Sequence, residues 1–177
     1  MYGLRRGALV IYIATGVAFL AFSAVTGNAA WLVPVGLVAA GYLIGVLRHA
    51  STCPHPKKMT ITAILLTILT TIAAATATWF INHELGYGAM VASGFIGVLA
   101  GVTLAEHLAG AAYTASFVGM SATMVLPSPA AATVAGAVVG IIIVISTPVF
   151  RGIGGKGGTA AAAAVLMTAA FVFTVGM

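Results

Sequence analysis

Residues 89–126 read AMVASGFIGVLAGVTLAEHLAGAAYTASFVGMSATMVL, and the fold turns on how often this stretch crosses a bilayer. It stays apolar for far longer than one span, which takes about 20 residues. Glu106-His107 interrupts it and Gly110 follows closely. The reading adopted is two helices, 89–105 and 109–126, with a tight reversal at Glu106-His107.

Outward from that stretch the pattern repeats. Toward the N-terminus, apolar spans are expected at 8–25, 30–47 and 59–81. The first is bounded by Thr26-Gly27-Asn28, the second by the polar loop Arg48–Lys58 with its prolines Pro54 and Pro56, and the third by Asn82–Gly88. Trp79, Phe80 and Tyr87 around that last turn read as an aromatic belt at headgroup level. Toward the C-terminus, Pro127-Ser128-Pro129 makes a turn, and spans follow at 130–149 and 159–176, separated by the glycine-rich segment Phe150–Gly158. The apolar stretch after Arg5-Arg6 reads as a retained first span, because no cleavage site precedes a soluble region.

Composition sets the same class. Of 177 residues, 62% are hydrophobic and 5% charged, there is no Asp, and the only acidic residues are Glu84 and Glu106. An average soluble domain is about 25% charged. Mean hydropathy is +1.18. A chain without a charged surface needs lipid to cover it. The expectation is an all-α polytopic membrane helix bundle of seven transmembrane helices, forming a single integral membrane domain over residues 1–177 of a cytoplasmic-type inner membrane.

The net charge of +5 does not point to nucleic acid, since its basic residues cluster in short segments between apolar runs. Lys and Arg favour the cytoplasmic side of short loops. Seven spans with the N-terminus cytoplasmic put Arg5, Arg6, Arg48, Lys57, Lys58, Arg151 and Lys156 all inside and the C-terminus outside. One crossing in 89–126 instead of two would move Arg151 and Lys156 outside.

Three glycine pairs are spaced by four: Gly41/Gly45, Gly97/Gly101 and Gly136/Gly140. Small residues at that spacing make a helix face that admits a second backbone. Each pair precedes a returning helix rich in Thr and Ala, so the spans group into candidate repeated hairpins, with unequal spacing between them.

Chemistry is sparse. Glu106 and His107 are an ionisable pair in an apolar run, suited to carrying protons or holding a cation; the plainer reading is a solvated cytoplasmic turn. Tyr113, Thr114, Ser116, Gly119 and Ser121 are polar or small within one span. That suits a broken helix lining a solute path, or a buried helix whose hydroxyls bond their own carbonyls. Gly154, Gly155, Lys156, Gly157, Gly158 and Thr159 put flexible backbone, a cation and a helix start together, as an anion site requires. The spacing is not that of a P-loop, and a basic loop touching anionic lipid is the plainer alternative.

His49, Cys53 and His55 offer three ligand types where structural zinc takes four, so no metal is assigned, and no cofactor. The single Cys53 permits no internal disulfide. His83-Glu84 reads as a solvated turn, and without Asp no Ser-His-Asp triad exists.

The segment Pro148–Thr159 resembles the glycine-rich phosphate-binding segment of the membrane acyl-phosphate:glycerol-3-phosphate acyltransferases, which are small membrane proteins with the same expected span count. The likeness covers only that segment and is offset by one residue between Pro148-Val149-Phe150 and Gly154-Gly155-Lys156-Gly157. The family's Ser/Gly/Asn-rich loop after the first span has no counterpart, so membership is not assigned. The resemblance implies a phosphate or lipid substrate at the inner face.

The expectation from sequence is a small transporter or channel for an ion or solute, embedded in the lipid bilayer as a homo-oligomer. The alternatives are a membrane enzyme acting on a phosphorylated or lipid substrate, with Lys156 binding phosphate and Glu106 or His107 as base, and a non-catalytic subunit of a membrane complex.

Overall fold

The computed structural model describes residues 59–147 and 156–175, with isolated helical positions at Ala14, Val17, Ala21, Val25, Gly36 and Ala40. The regular secondary structure among them is all helical: α1 (Ile61–His83), α2 (Ala89–Thr103), α3 (Glu106–Gly119), α4 (Pro129–Ser146) and α5 (Lys156–Val175).

Local chemistry sets several helix ends. Thr60 caps α1, accepting the Ala63 N–H at 3.3 Å. Past its C-terminus the chain reverses through Gly86 and Gly88, whose φ values of 71° and 85° suit glycine. Ser128 caps α4 by accepting the Ala131 N–H at 3.2 Å, and Pro129 occupies the first turn, where its missing N–H costs nothing.

α1 is the hub, packed against α2, α3 and α4, while α5 packs against α3 and α4. Its contact with α4 is antiparallel: Gly136 lies over Thr71–Ala75, and Gly140 lies over Ile68 and Thr71. A Cβ on Gly136 would come 2.9 Å from Ile72 Cα, so two backbones meet there without a side chain between them. Thr76 and Thr133 hydroxyls bridge the same seam at 3.0 Å. α2 and α3 are also antiparallel, with Gly97 under the Tyr113 ring and Ser93 bonded to Ser116.

The interior is small and the exterior large. Alanine supplies most of the buried hydrophobic positions, including Ala75, Ala92, Ala115, Ala132, Ala135 and Ala164. Among the described residues no Phe or Met is buried, while Leu69, Met90, Phe95, Val98, Val102 and Phe173 are exposed. A soluble core would bury the large side chains first. In lipid no hydrophobic force draws them inward, and small residues permit the close helix contact that holds the bundle.

Among the described residues three helices are long and apolar enough to cross a membrane: Ile61–His83, Pro129–Ser146 and Lys156–Thr174. This corrects the expectation of seven spans. The spans expected at 8–25 and 30–47 lie outside the described residues save for isolated positions. α2 and α3, of 15 and 14 residues, rise only about 21–23 Å at 1.5 Å per residue, against a hydrocarbon core of about 30 Å. The orientation with the N-terminus inside and the C-terminus outside depended on two full crossings in 89–126, and these helix lengths do not supply them. The helices of the pairs α2–α3 and α4–α5 differ in length, 15 and 14 residues against 18 and 20.

The shortfall has a local cause. Leu104 and Ala105 are extended, and α3 starts at Glu106, not 109. It ends at Gly119, not 126, and residues 120–128 form turns. Trp79 is not a belt residue: it is 3% exposed and donates its Nε1–H to the Leu126 carbonyl at 3.0 Å. His83 is half-buried rather than solvated, and its Nε2 lies 2.9 Å from the Ser121 carbonyl. Side chains of α1 thus bond two carbonyls of the connection, of which Ser121's would have had an internal partner in a helix reaching 126.

Candidate functional site

The residues singled out on α3 fall into two groups. Glu106 and His107 occupy its exposed first turn, where a carboxylate faces the positive end of the helix dipole. Thr114, Ser116 and Gly119 are buried farther along, and Thr114, eight positions on, lies about 12 Å from Glu106 along the axis. The two groups are therefore not one cluster.

Nor do the buried members face one channel. Thr114 meets α5, where a Cβ on Gly157 would come 2.6 Å from its Oγ1. Ser116 meets α2 through Ser93, at 2.8 Å. Gly119 meets α1 at Ala75, Thr78 and Trp79. Tyr113 is 49% exposed, its ring edge-on to Phe117 with centroids 4.7 Å apart. Ser121 lies beyond the helix in the turn held by His83.

The hydroxyls mostly return to their own helix. Thr114 Oγ1 donates to the Gly110 carbonyl at 2.9 Å, and Ser116 Oγ to the Tyr113 carbonyl at 2.7 Å. α3 is continuous through them, so the helix does not break at these residues. Since Ser116 has spent its one hydrogen on Tyr113, the Ser93 hydroxyl donates across the α2–α3 seam. A double-mutant cycle on Ser93→Ala and Ser116→Ala is expected to give a coupling of about 0.6 kcal/mol, the usual size for hydrogen bonds between membrane helices. Unfolding in mixed micelles measures it, and a coupling of zero would remove the bond from the seam.

Of the glycine-rich anion candidate, Gly154 and Gly155 lie outside the described residues. Lys156, Gly157, Gly158 and Thr159 form the first turn of α5. Lys156 and Gly158 are exposed, while Gly157 and Thr159 are half-buried. The structure therefore unites two features that were separate in sequence: the start of α5 abuts Thr114, in the second half of α3. No spacing rule links positions 114 and 157, and only the fold brings them together.

Among the described residues no group of three or more His, Cys, Asp or Glu side chains converges as a metal site would require. His49, Cys53 and His55 lie outside them, as do Pro148–Gly155 of the acyltransferase-like segment. Two residues to which the sequence reading gave other roles, Trp79 and His83, organise the far end of the bundle. The signal available for them was their i, i+4 spacing on one face of α1.

The fold and site define a class: the described residues are all helical in their regular structure, with three helices of membrane-crossing length and a small-residue, hydroxyl-bearing interior. The chain matches no protein-family model, no curated protein and no solved structure.

Proposed function

We propose that this is a multi-pass protein of a cell membrane that moves a small ion or solute, with small anions the favoured class, working as a homo-oligomer. The observation that carries the reading is the contact of the α5 first turn with Thr114. A helix N-terminus presents backbone N–H groups that have no partner within the helix, and its dipole favours negative charge. Lys156 adds a cation in the same turn, which packs against Thr114 in the bundle interior. Membrane carriers use helix N-termini among packed helices in this way.

Support for the oligomer comes from α2. Gly94 and Gly101 are exposed, a Cβ on either would meet nothing within 4 Å, and their spacing of seven puts them on one helix face. A face of small residues that no described residue covers suits a helix of a second copy.

The test is flux. Purified protein in liposomes is expected to pass a small anion such as chloride, nitrate or phosphate, and Lys156→Ala to lower that flux at least tenfold while the protein stays folded. Wild-type liposomes no leakier than empty ones to any small anion or monovalent cation would end the transport reading. Flux unaffected by Lys156→Ala would remove the α5 turn from the path.

A further inference from the structure

The 120–128 connection lies against one end of the bundle with little of its own structure. Its internal bonds are local: Ser121 N–H to the Val118 carbonyl, and the Val125 and Leu126 N–H groups to the Ala122 carbonyl. Its outer side is bare, with Ala122 and Thr123 exposed and Met124 78% exposed. Its inner side is one residue deep: Leu126, with no exposed surface, sits in the same cluster as Trp79, Ala75 and Ala132.

Two side chains of α1 tie it down. Trp79 Nε1–H donates to the Leu126 carbonyl at 3.0 Å. One turn later His83 Nε2 donates to the Ser121 carbonyl at 2.9 Å. A carbonyl only accepts, so this contact sets the neutral ring as its Nε2–H tautomer. The Asn82 amide, 3.0 Å from the same nitrogen, competes for that site instead of reinforcing it. The Trp79 and His83 rings pack on one another with centroids 4.9 Å apart, so the two ties form one unit.

Next to this unit is a polar atom without a partner. Thr78 has no exposed surface and its Oγ1 makes no hydrogen bond. Thr67, Thr114 and Thr133 each return a bond to the carbonyl four residues back; Thr78 does not. It packs against Gly119, the residue from which the connection departs. A buried hydroxyl left unpaired is disfavoured when dry and is relieved by water or a polar solute.

We infer that the 120–128 connection is a plug, with Leu126 as its stopper and the Trp79–His83 pair as its latch, and that releasing it admits water or a small polar solute to the Thr78 hydroxyl. Its purpose rests on the transport reading; its test does not, because accessibility is read without flux. A protein that carries no solute still shows or fails to show the plug.

The experiment compares the unsubstituted latch with Trp79→Phe/His83→Phe, which leaves an aromatic ring at both positions and removes both donors, and with His83→Phe alone in case the pair prevents folding. Each is made with Cys53→Ser and either Thr78→Cys or the equally buried Thr71→Cys, two turns away on α1. Labelling by a small charged thiol reagent in detergent is expected to quicken at least tenfold at position 78 and to stay unchanged at 71. Hydrogen exchange on the same latch variants without added cysteines should speed up for 120–128 and not for 61–75. Unchanged labelling at position 78 would overturn the plug, and so would an equal rise at both positions, which would mean general loosening.

Discussion

Gly119→Ala is expected to unfold much of the protein at temperatures the parent tolerates, and Gly110→Ala is expected to do the reverse. A Cβ on Gly119 would lie 2.5 Å from the Ala75 carbonyl oxygen, 2.6 Å from Thr78 Cβ and 2.8 Å from the Trp79 nitrogen. Two of these are backbone atoms of α1, which no rotamer change moves aside. Relief requires α3 to shift off α1, and α1 is the helix on which α2, α3 and α4 all rest. Overpacking of this kind costs about 1–3 kcal/mol and more where backbone must move, so a loss of about 3 kcal/mol is expected. At Gly110 a Cβ meets nothing within 4 Å, and replacing a helix-interior glycine by alanine gains roughly 0.5–1 kcal/mol. Thermal unfolding of the two variants in one detergent measures both. Equal midpoints would mean that α3 does not touch α1 at Gly119.

These two glycines show why the sequence could be read only so far. Gly97/Gly101 and Gly136/Gly140 share one spacing, yet Gly136 and Gly140 both press on α1, while Gly97 lies under Tyr113 and Gly101 meets nothing. Spacing says that a face is flat; the rest of the chain decides what covers it. The helices at 61–83, 89–103, 129–146 and 156–175 were legible because an apolar run bounded by glycine, proline or serine has few alternatives. The Ser128-Pro129 start was legible because cap and first-turn proline act locally.

The stretch 104–128 was misread for a physical reason. Hydropathy reports whether side chains tolerate an apolar setting, and Met120–Leu126 do. It does not report who satisfies the backbone. There the donors come from Trp79 and His83, roughly 40 residues earlier in the chain, and their function as latch is invisible until α1 and the connection are side by side. The candidate site divides in the same way. Hydroxyls on α3 could be named from sequence, but that Thr114 faces α5 while Ser116 faces α2 follows from packing. The pairing of Thr114 with the α5 turn, on which the transport reading leans, is wholly tertiary.

Leu69→Arg separates a bundle that lives in lipid from one that lives in water. Leu69 sits in the middle third of α1 and is 62% exposed. On a soluble protein an arginine there is expected to change stability by no more than about 0.5 kcal/mol, and to help solubility. At the centre of a spanning helix arginine costs about 2.5–3.5 kcal/mol to insert, and the favourable leucine term is lost as well. The equilibrium constant for inserting α1 should then fall by roughly 100- to 1,000-fold, since about 1.4 kcal/mol is a factor of ten. The control is Thr62→Arg, exposed in the first turn of the same helix. There the side chain reaches the interface with its apolar stem along the helix and its charge in water, at little cost. Carbonate extraction of membranes from expressing cells measures both variants. A normal membrane-bound yield for Leu69→Arg would show that α1 does not face lipid, and the outward-facing leucines, valines and phenylalanines would then need a protein partner to cover them. A loss confined to Leu69→Arg would place the α1 surface in hydrocarbon, and with it the small-residue seams as the contacts that hold the bundle together.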